Sequence, residues 1–187
     1  MNKKIIIISS PSGAGKTTIC KKLLAKKKSI ELSISYTTRT KRNKEIQGKD
    51  YYFTKYVDFQ KLNKKKYFIE FAKVFGNYYG SPYKNIKKAF RNNKHILFDI
   101  DWQGAKKLRK VFSNDVIIDF FILPPNKREL RKRLEQRGRD NKNEIKKRLS
   151  LAVNEISHYG EYKYAIVNDN IIKTVNHIIR ILEFEEI

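Results

Sequence analysis

The sequence predicts an α/β domain: a parallel sheet covered by helices, built behind a phosphate-binding loop, with an inserted β-rich subdomain and a separate helical block. Three observations carry that prediction. First, residues 5–18 read Ile-Ile-Ile-Ile-Ser-Ser-Pro-Ser-Gly-Ala-Gly-Lys-Thr-Thr, a β-branched run entering a Ser-, Pro- and Gly-rich turn and then a helical pattern. Second, apolar strand-like runs alternate with helical stretches, the signature of a parallel sheet with helices on both faces. Third, the texture changes twice. Residues 35–81 are rich in short strand-like runs, Tyr and Gly, whereas 126–158 are almost wholly helical and dense in arginine.

Taken in order, the first strand is expected at 5–9 and the first helix at 16–28, with the loop between them. Ser12, Gly13, Ala14, Gly15, Lys16, Thr17 and Thr18 are the expected anion cradle. The two glycines let the backbone curl until its N–H groups converge, Lys16 adds a mobile positive charge, and the Thr17 hydroxyl is placed to ligate Mg²⁺. Ser10 stands where the usual P-loop pattern has Gly, so φ there is expected to be negative. Further strands are expected near 31–37, 51–53, 68–75, 95–100, 117–123 and 164–167. Helices are expected near 57–64, 83–92, 103–112, 127–137, 143–158 and 170–185. The last carries a core-facing stripe of Ile171, Val175, Ile178, Ile179 and Leu182.

Composition narrows the class. The 187 residues are 40% hydrophobic and 12% aromatic, which excludes a disordered chain and provides for a substantial core. No apolar run nears the roughly 20 residues of a membrane span. The four isoleucines after a basic start are too few for a signal-peptide core, and the single cysteine, Cys20, suits a reducing compartment. A cytoplasmic location without membrane partners is therefore expected. The net charge of +23 fits either a polyanion-binding surface or compositional drift toward Lys. Because the lysines are scattered and form no dedicated arm, drift is favoured and no specific nucleic-acid partner is expected.

Beyond the loop, three clusters carry chemistry. The run 96–101 is apolar until Asp99 and Asp101, which point the same way off a strand at the carboxyl edge of the sheet, where ligands bind. Asp99 is the candidate metal-side carboxylate, beside Thr17. Asp101 can orient an acceptor group and also cap the following helix. Arg39 and Arg42 could clamp a second phosphate. Glu70 lies among apolar residues, a costly position unless it meets donors. His95, His158 and His177 show no metal-ligand spacing, and Trp102 is expected to pack beside the Asp101 turn.

These motifs stand in the order found in guanylate kinases, and the chain resembles that family over nearly its whole length. The resemblance rests on 9–17, on Ser-Tyr-Thr-Thr-Arg at 35–39 and on Gly-Lys-Asp-Tyr-Tyr-Phe at 48–53. It continues through 75–81, Asp-Ile-Asp-Trp-Gln-Gly at 99–104, 133–138 and Val-Asn-Asp at 167–169. It implies a P-loop NTPase three-layer core (1–34, 82–125 and 159–187), a GMP-binding subdomain (35–81) and a helical lid (126–158). The implied reaction moves the γ-phosphoryl group of ATP to GMP, and to dGMP as well, with Mg²⁺. By the same resemblance Arg39, Arg42, Tyr51 and Tyr79 grip the GMP phosphate, while Ser35, Glu70 and Ser81 read the guanine. Arg137 and Arg148 are the lid arginines, Arg133 a helper, and Asn168 lies near the adenine. Lys16, Arg39, Asp101, Arg137 and Arg148 are thus the expected catalytic set. Three rivals stay open at this point: a non-catalytic scaffold of the same fold, a nucleic-acid-binding NTPase, and a kinase for another acceptor. So does the choice between monomer and homo-oligomer.

Overall fold

The computed structural model describes residues 3–136, 138 and 141–187. In chain order its elements begin β1 (Ile5–Ser9), α1 (Lys16–Lys26), β2 (Ile30–Leu32), β3 (Tyr36–Thr37), β4 (Tyr52–Phe53), α2 (Tyr56–Lys64), β5 (Phe68–Val74) and β6 (Asn77–Pro82). There follow α3 (Tyr83–Arg91), β7 (His95–Asp99), α4 (Trp102–Val111), β8 (Ile117–Leu123), α5 (Lys127–Gln136), α6 (Lys142–Ser157), β9 (Tyr164–Val167) and α7 (Ile171–Phe184). Among the described residues no helix is long and apolar enough to cross a membrane.

The four isoleucines make β1 the centre of a parallel sheet ordered β2-β7-β1-β8-β9. Alternate side chains serve opposite faces, as the period of two requires. Ile6 and Ile8 join Ile19 and Leu23 of α1 and Val175, Ile178 and Leu182 of α7. Ile5 and Ile7 join Ile86 and Ala89 of α3 and Ala105 and Leu108 of α4. Helix, sheet and helix form the three expected layers, and Cys20 is buried in the first core.

A second sheet, ordered β4-β3-β6-β5, is built within 35–82. Its small core is aromatic: Phe59 of α2 stacks on Phe68 with ring centroids 4.6 Å apart, and Tyr36 stacks on Tyr52 at 4.7 Å. Two expectations are corrected here. The single strand expected at 31–37 is two strands in different sheets. Ser33 still donates its amide to Leu97 in the first sheet, but Ser35 accepts from Tyr52 in the second. Asn85 holds the crossing by donating to Ser33 Oγ and the Ile34 carbonyl. The segment 77–82, expected only as a glycine-containing approach to a ligand, is a full strand. It closes a two-residue hairpin whose turn, Phe75 and Gly76, has both φ values positive, at 47° and 80°.

α5 and α6 pack on one another through Leu130, Leu134, Ile145, Leu149 and Ala152. α6 opens with a capping box, Asn141 and Glu144 exchanging bonds with each other's backbone amides. The pair lies over the loop after β1, where a Cβ on Gly13 would meet Leu130 and Leu134 at 3.0 Å.

Candidate functional site

One cavity runs from the β1–α1 loop to the second sheet, and residues from both ends line it. At the loop end, Gly15 caps α1 in the left-handed region at φ 101°. A Cβ there would also fall 2.7 Å from Asn168 Nδ2, so the position excludes side chains on two grounds. Ser10 is absent from the described non-glycine residues with positive φ, as expected. Lys16 Nζ lies 2.6 Å from Asp99 Oδ1 and donates to the Ile100 carbonyl at 2.9 Å. Burial works against its charge, but Asp99 outweighs burial and holds the ammonium above the ordinary lysine range. Thr17 Oγ1 donates to the other Asp99 oxygen at 3.3 Å.

The helical pair closes this end. Arg148 Nη1 donates to Ser12 Oγ at 2.8 Å, and its guanidinium lies 4.6 Å from the Phe75 ring centroid. Arg148 thus bridges the loop and the tip of the β5–β6 hairpin. Glu155, seven residues on along α6, accepts the Ser12 amide at 3.2 Å through Oε2. Burial raises its pKa, and nearby Lys16 and Arg148 only partly offset the shift. The sequence reading missed Glu155; its signal was the helical spacing from Arg148, which puts 148 and 155 on one face.

At the other end Glu70 is 3% exposed. Ser81 Oγ donates to Glu70 Oε1 at 2.5 Å, and Ser35 Oγ lies 2.9 Å from Ser81 Oγ. Desolvation pushes the Glu70 carboxyl up to about 7, against the hydrogen bond from Ser81; Asp101 adds to the rise and Lys107 opposes it. Tyr51 and Tyr79 also line the cavity, their rings 5.9 Å apart edge to face. Asp101 lines it as well and caps α4, accepting the Gly104 amide at 3.0 Å.

The cavity thus brings together Ser12, Gly13, Gly15, Lys16 and Thr17 with Asp99, Asp101 and Arg148, and these with Ser35, Arg42, Tyr51, Glu70 and Tyr79. Other expected residues sit elsewhere. Ser81 stands behind Glu70, Ala14 is buried and Thr18 faces solvent. Arg39 does not line the cavity: its Nη1 and Nη2 are held by Glu45 at 3.0 and 2.8 Å. Asn168, expected at the base of a nucleotide, is 0% exposed; its Nδ2 donates to the Ala14 carbonyl at 2.7 Å and its Oδ1 accepts from Thr174. Arg133 turns inward too, to the carbonyls of Asn168 at 2.9 Å and Ala14 at 3.4 Å. In this structure both residues brace the loop from behind, because the end of β9 lies directly under it. Trp102 stacks on His158 at 3.6 Å between ring centroids. Arg137 lies outside the described residues.

The donors suit a hard cation shared with a ligand. Thr17 Oγ1 and the Asp99 carboxylate offer oxygens only, and no group of three or more His, Cys, Asp or Glu among the described residues could hold a metal unaided. That set fits Mg²⁺, which keeps several waters and takes the rest of its shell from phosphates.

Comparison with known proteins agrees with this geometry. The guanylate kinase family profile matches residues 2–185. The guanylate kinase of Rickettsia felis is 45% identical over 181 residues, covering 97% of this chain and 93% of the relative. That of Rhizobium meliloti is 41% identical over 183 residues, covering 98% and 83%. The crystal structure of guanylate kinase from Anaplasma phagocytophilum superposes with a TM-score of 0.81 at 38% identity, covering 98% of this chain and 86% of that one.

Proposed function

The chain belongs to the guanylate kinase family, ATP:GMP phosphotransferases that use a divalent metal, and from that premise we propose how its residues divide the work. Residues 35–81 are the GMP-binding subdomain, 126–158 the lid and the remainder the core. The observation that carries this reading is a single cavity with a phosphate loop at one end and the buried Glu70–Ser81–Ser35 chain at the other.

Guanine presents N1–H and a 2-amino group side by side, and one ionised carboxylate can accept both. Glu70 takes that role, with Ser81 and Ser35 fixing its far oxygen. Adenine offers a bare N1 lone pair and lacks the amine, which would leave a buried carboxylate facing an acceptor. Tyr51, Tyr79 and Arg42 receive the GMP phosphate. Arg39, preset by Glu45 and lying 5.5 Å from the Tyr51 ring centroid, joins them once GMP draws the subdomain inward.

At the donor end the loop amides and Lys16 hold the ATP phosphates. With Lys16 turned from Asp99 to the nucleotide, Asp99 and Thr17 would be the residues that hold Mg²⁺. Bound Mg²⁺ supplies positive charge that offsets the charge on the transferring group. Arg148, and Arg137 with it, add charge from the lid. Asp101 positions the acceptor and need not remove a proton, because a phosphate oxygen is already ionised near neutrality. Lid closure excludes water, so ATP hydrolysis without GMP stays far below the kinase rate.

The test is a coupled ADP-release assay with Mg-ATP, comparing GMP and AMP in the wild type and in Glu70→Gln. The GMP/AMP ratio of kcat/KM is expected to fall by roughly 10³-fold or more in the variant. An unchanged ratio would remove Glu70 from base recognition.

A further inference from the structure

Glu70 is gripped on one side only by its serine. Oε1 accepts from Ser81, while Oε2 faces the first turn of α4 across the space where Gly104 has no side chain. A Cβ built at 104 would stand 2.7 Å from Glu70 Oε2, 3.2 Å from its Cδ and 3.3 Å from Ile100 Cβ. Gly104 is buried, and its backbone is ordinary helix, its amide bonded to the Asp101 cap. Conformational freedom is therefore not the reason for glycine at this position; the space of a side chain is taken by the Glu70 carboxylate and, at 3.3 Å, by Ile100. α4 is tied to β5 on this side: Lys107, one turn on, donates its ammonium to the Phe71 carbonyl and lies 3.9 Å from the Phe71 ring centroid. Ala105 and Leu108 are packed in the sheet core on the helix's other side.

We propose that Gly104 is a positioning residue for guanine recognition: the bare first turn of α4 is the back wall that sets the angle and depth of the Glu70 carboxylate. This rests on the reading of Glu70 given above. A methyl group at 104 pushes Oε2 out of line while Ser81 still holds Oε1, and a donor pair as rigid as N1–H and the 2-amine tolerates little rotation. The wall also couples the two sheets, since α4 follows β7 of the core and Glu70 belongs to the acceptor sheet.

The experiment is steady-state kinetics of Gly104→Ala, Glu70→Asp and the double variant, with Glu70→Gln as reference and thermal unfolding of each. In Gly104→Ala the KM for GMP is expected to rise on the order of tenfold, with kcat and the KM for ATP within twofold of wild type. Asp, one methylene shorter, leaves room for the methyl group, so Gly104→Ala should cost clearly less in the Glu70→Asp background. If Gly104→Ala folds and its GMP KM is that of wild type, the wall has no role and the proposal falls, even where Glu70→Gln has lost selection. If Glu70→Gln keeps full selection, the underlying reading falls first. Should Gly104→Ala fail to fold, recovery of folding in the double variant supports the contact with Glu70. Continued failure assigns the constraint to Ile100 and overturns the proposal.

Discussion

The acceptor and donor ends of the cavity are held by different kinds of bond. At the acceptor end Glu70, Ser81 and Ser35 are buried and already joined to one another, with α4 closed behind them. Nothing in this base-reading chain need be exchanged when guanine arrives, apart from a proton. At the donor end each group is engaged by a partner that, on the proposed reading, it gives up to nucleotide: Lys16 by Asp99, the Ser12 amide by Glu155, Arg148 by Ser12 Oγ and Phe75. Preset bonds give selectivity, because a wrong base cannot be met by rearrangement. The exchangeable contacts of the loop, the Lys16–Asp99 ion pair among them, are of the kind that phosphates can replace.

Lys16 breaks or upholds that contrast most strongly. Lys16→Met removes the charge that, on the proposed reading, passes from Asp99 to the transferring phosphoryl group, and kcat should fall by roughly 10³-fold. The KM for GMP should barely move, because the acceptor end does not depend on the exchange. Stopped-flow or coupled assays at saturating ATP would show it; an equal loss in GMP affinity would mean that the two ends are not separable.

The next effect concerns stability and pH. An unfolded Glu70 loses its proton near 4.5, whereas the native carboxyl keeps it to about 7. Between those values the native state binds the extra proton, so stability declines as pH rises across the window and levels off above it. The cost at pH 8 is on the order of 3 kcal/mol. Glu70→Gln should therefore gain stability relative to wild type as pH goes from 5 to 8, measured by denaturant unfolding at each pH. On the proposed reading GMP needs the ionised form, so its KM should also climb as pH drops below 7 in wild type more steeply than in the variant. Parallel curves would mean that Ser81 and Lys107 hold Glu70 ionised despite Asp101 and burial.

Much of this was readable in the sequence, and the part that was not has physical causes. The Ile5–Ile8 run, the glycines at 13 and 15 and the carboxylates ending β7 are local patterns whose spacing alone fixes their placement. Contacts between distant segments leave no such trace. Nothing local tells that Asn168 and Arg133 meet at the Ala14 carbonyl, so a buried brace could not be told from a ligand group. Ser33 and Ser35 read as one strand because the break between sheets is set by Asn85, some fifty residues away. β6 was hidden by the glycines at 76 and 80: a Cβ at Gly80 would lie 2.9 Å from the Phe68 ring, which occupies the space of a side chain. Glu45 was quoted beside the arginines, yet only folding shows it closed on Arg39.

Glu155 offers the smallest expected effect and the finest test of the contrast. Its carboxylate accepts a loop amide that would otherwise face an anion, and it sits close enough to Lys16 and Arg148 to feel their charge. ATP must displace it, and two anions cannot share the Ser12 amide. Gln keeps the shape and a carbonyl acceptor while removing the charge, so Glu155→Gln should lower the KM for ATP about threefold, within the range of partly screened charges. The KM for GMP should stay where it is. A higher KM for ATP would carry the opposite lesson. It would mean that Glu155 orients Arg148 for the nucleotide and holds no loop amide against it, and the donor end would then be as preset as the acceptor end.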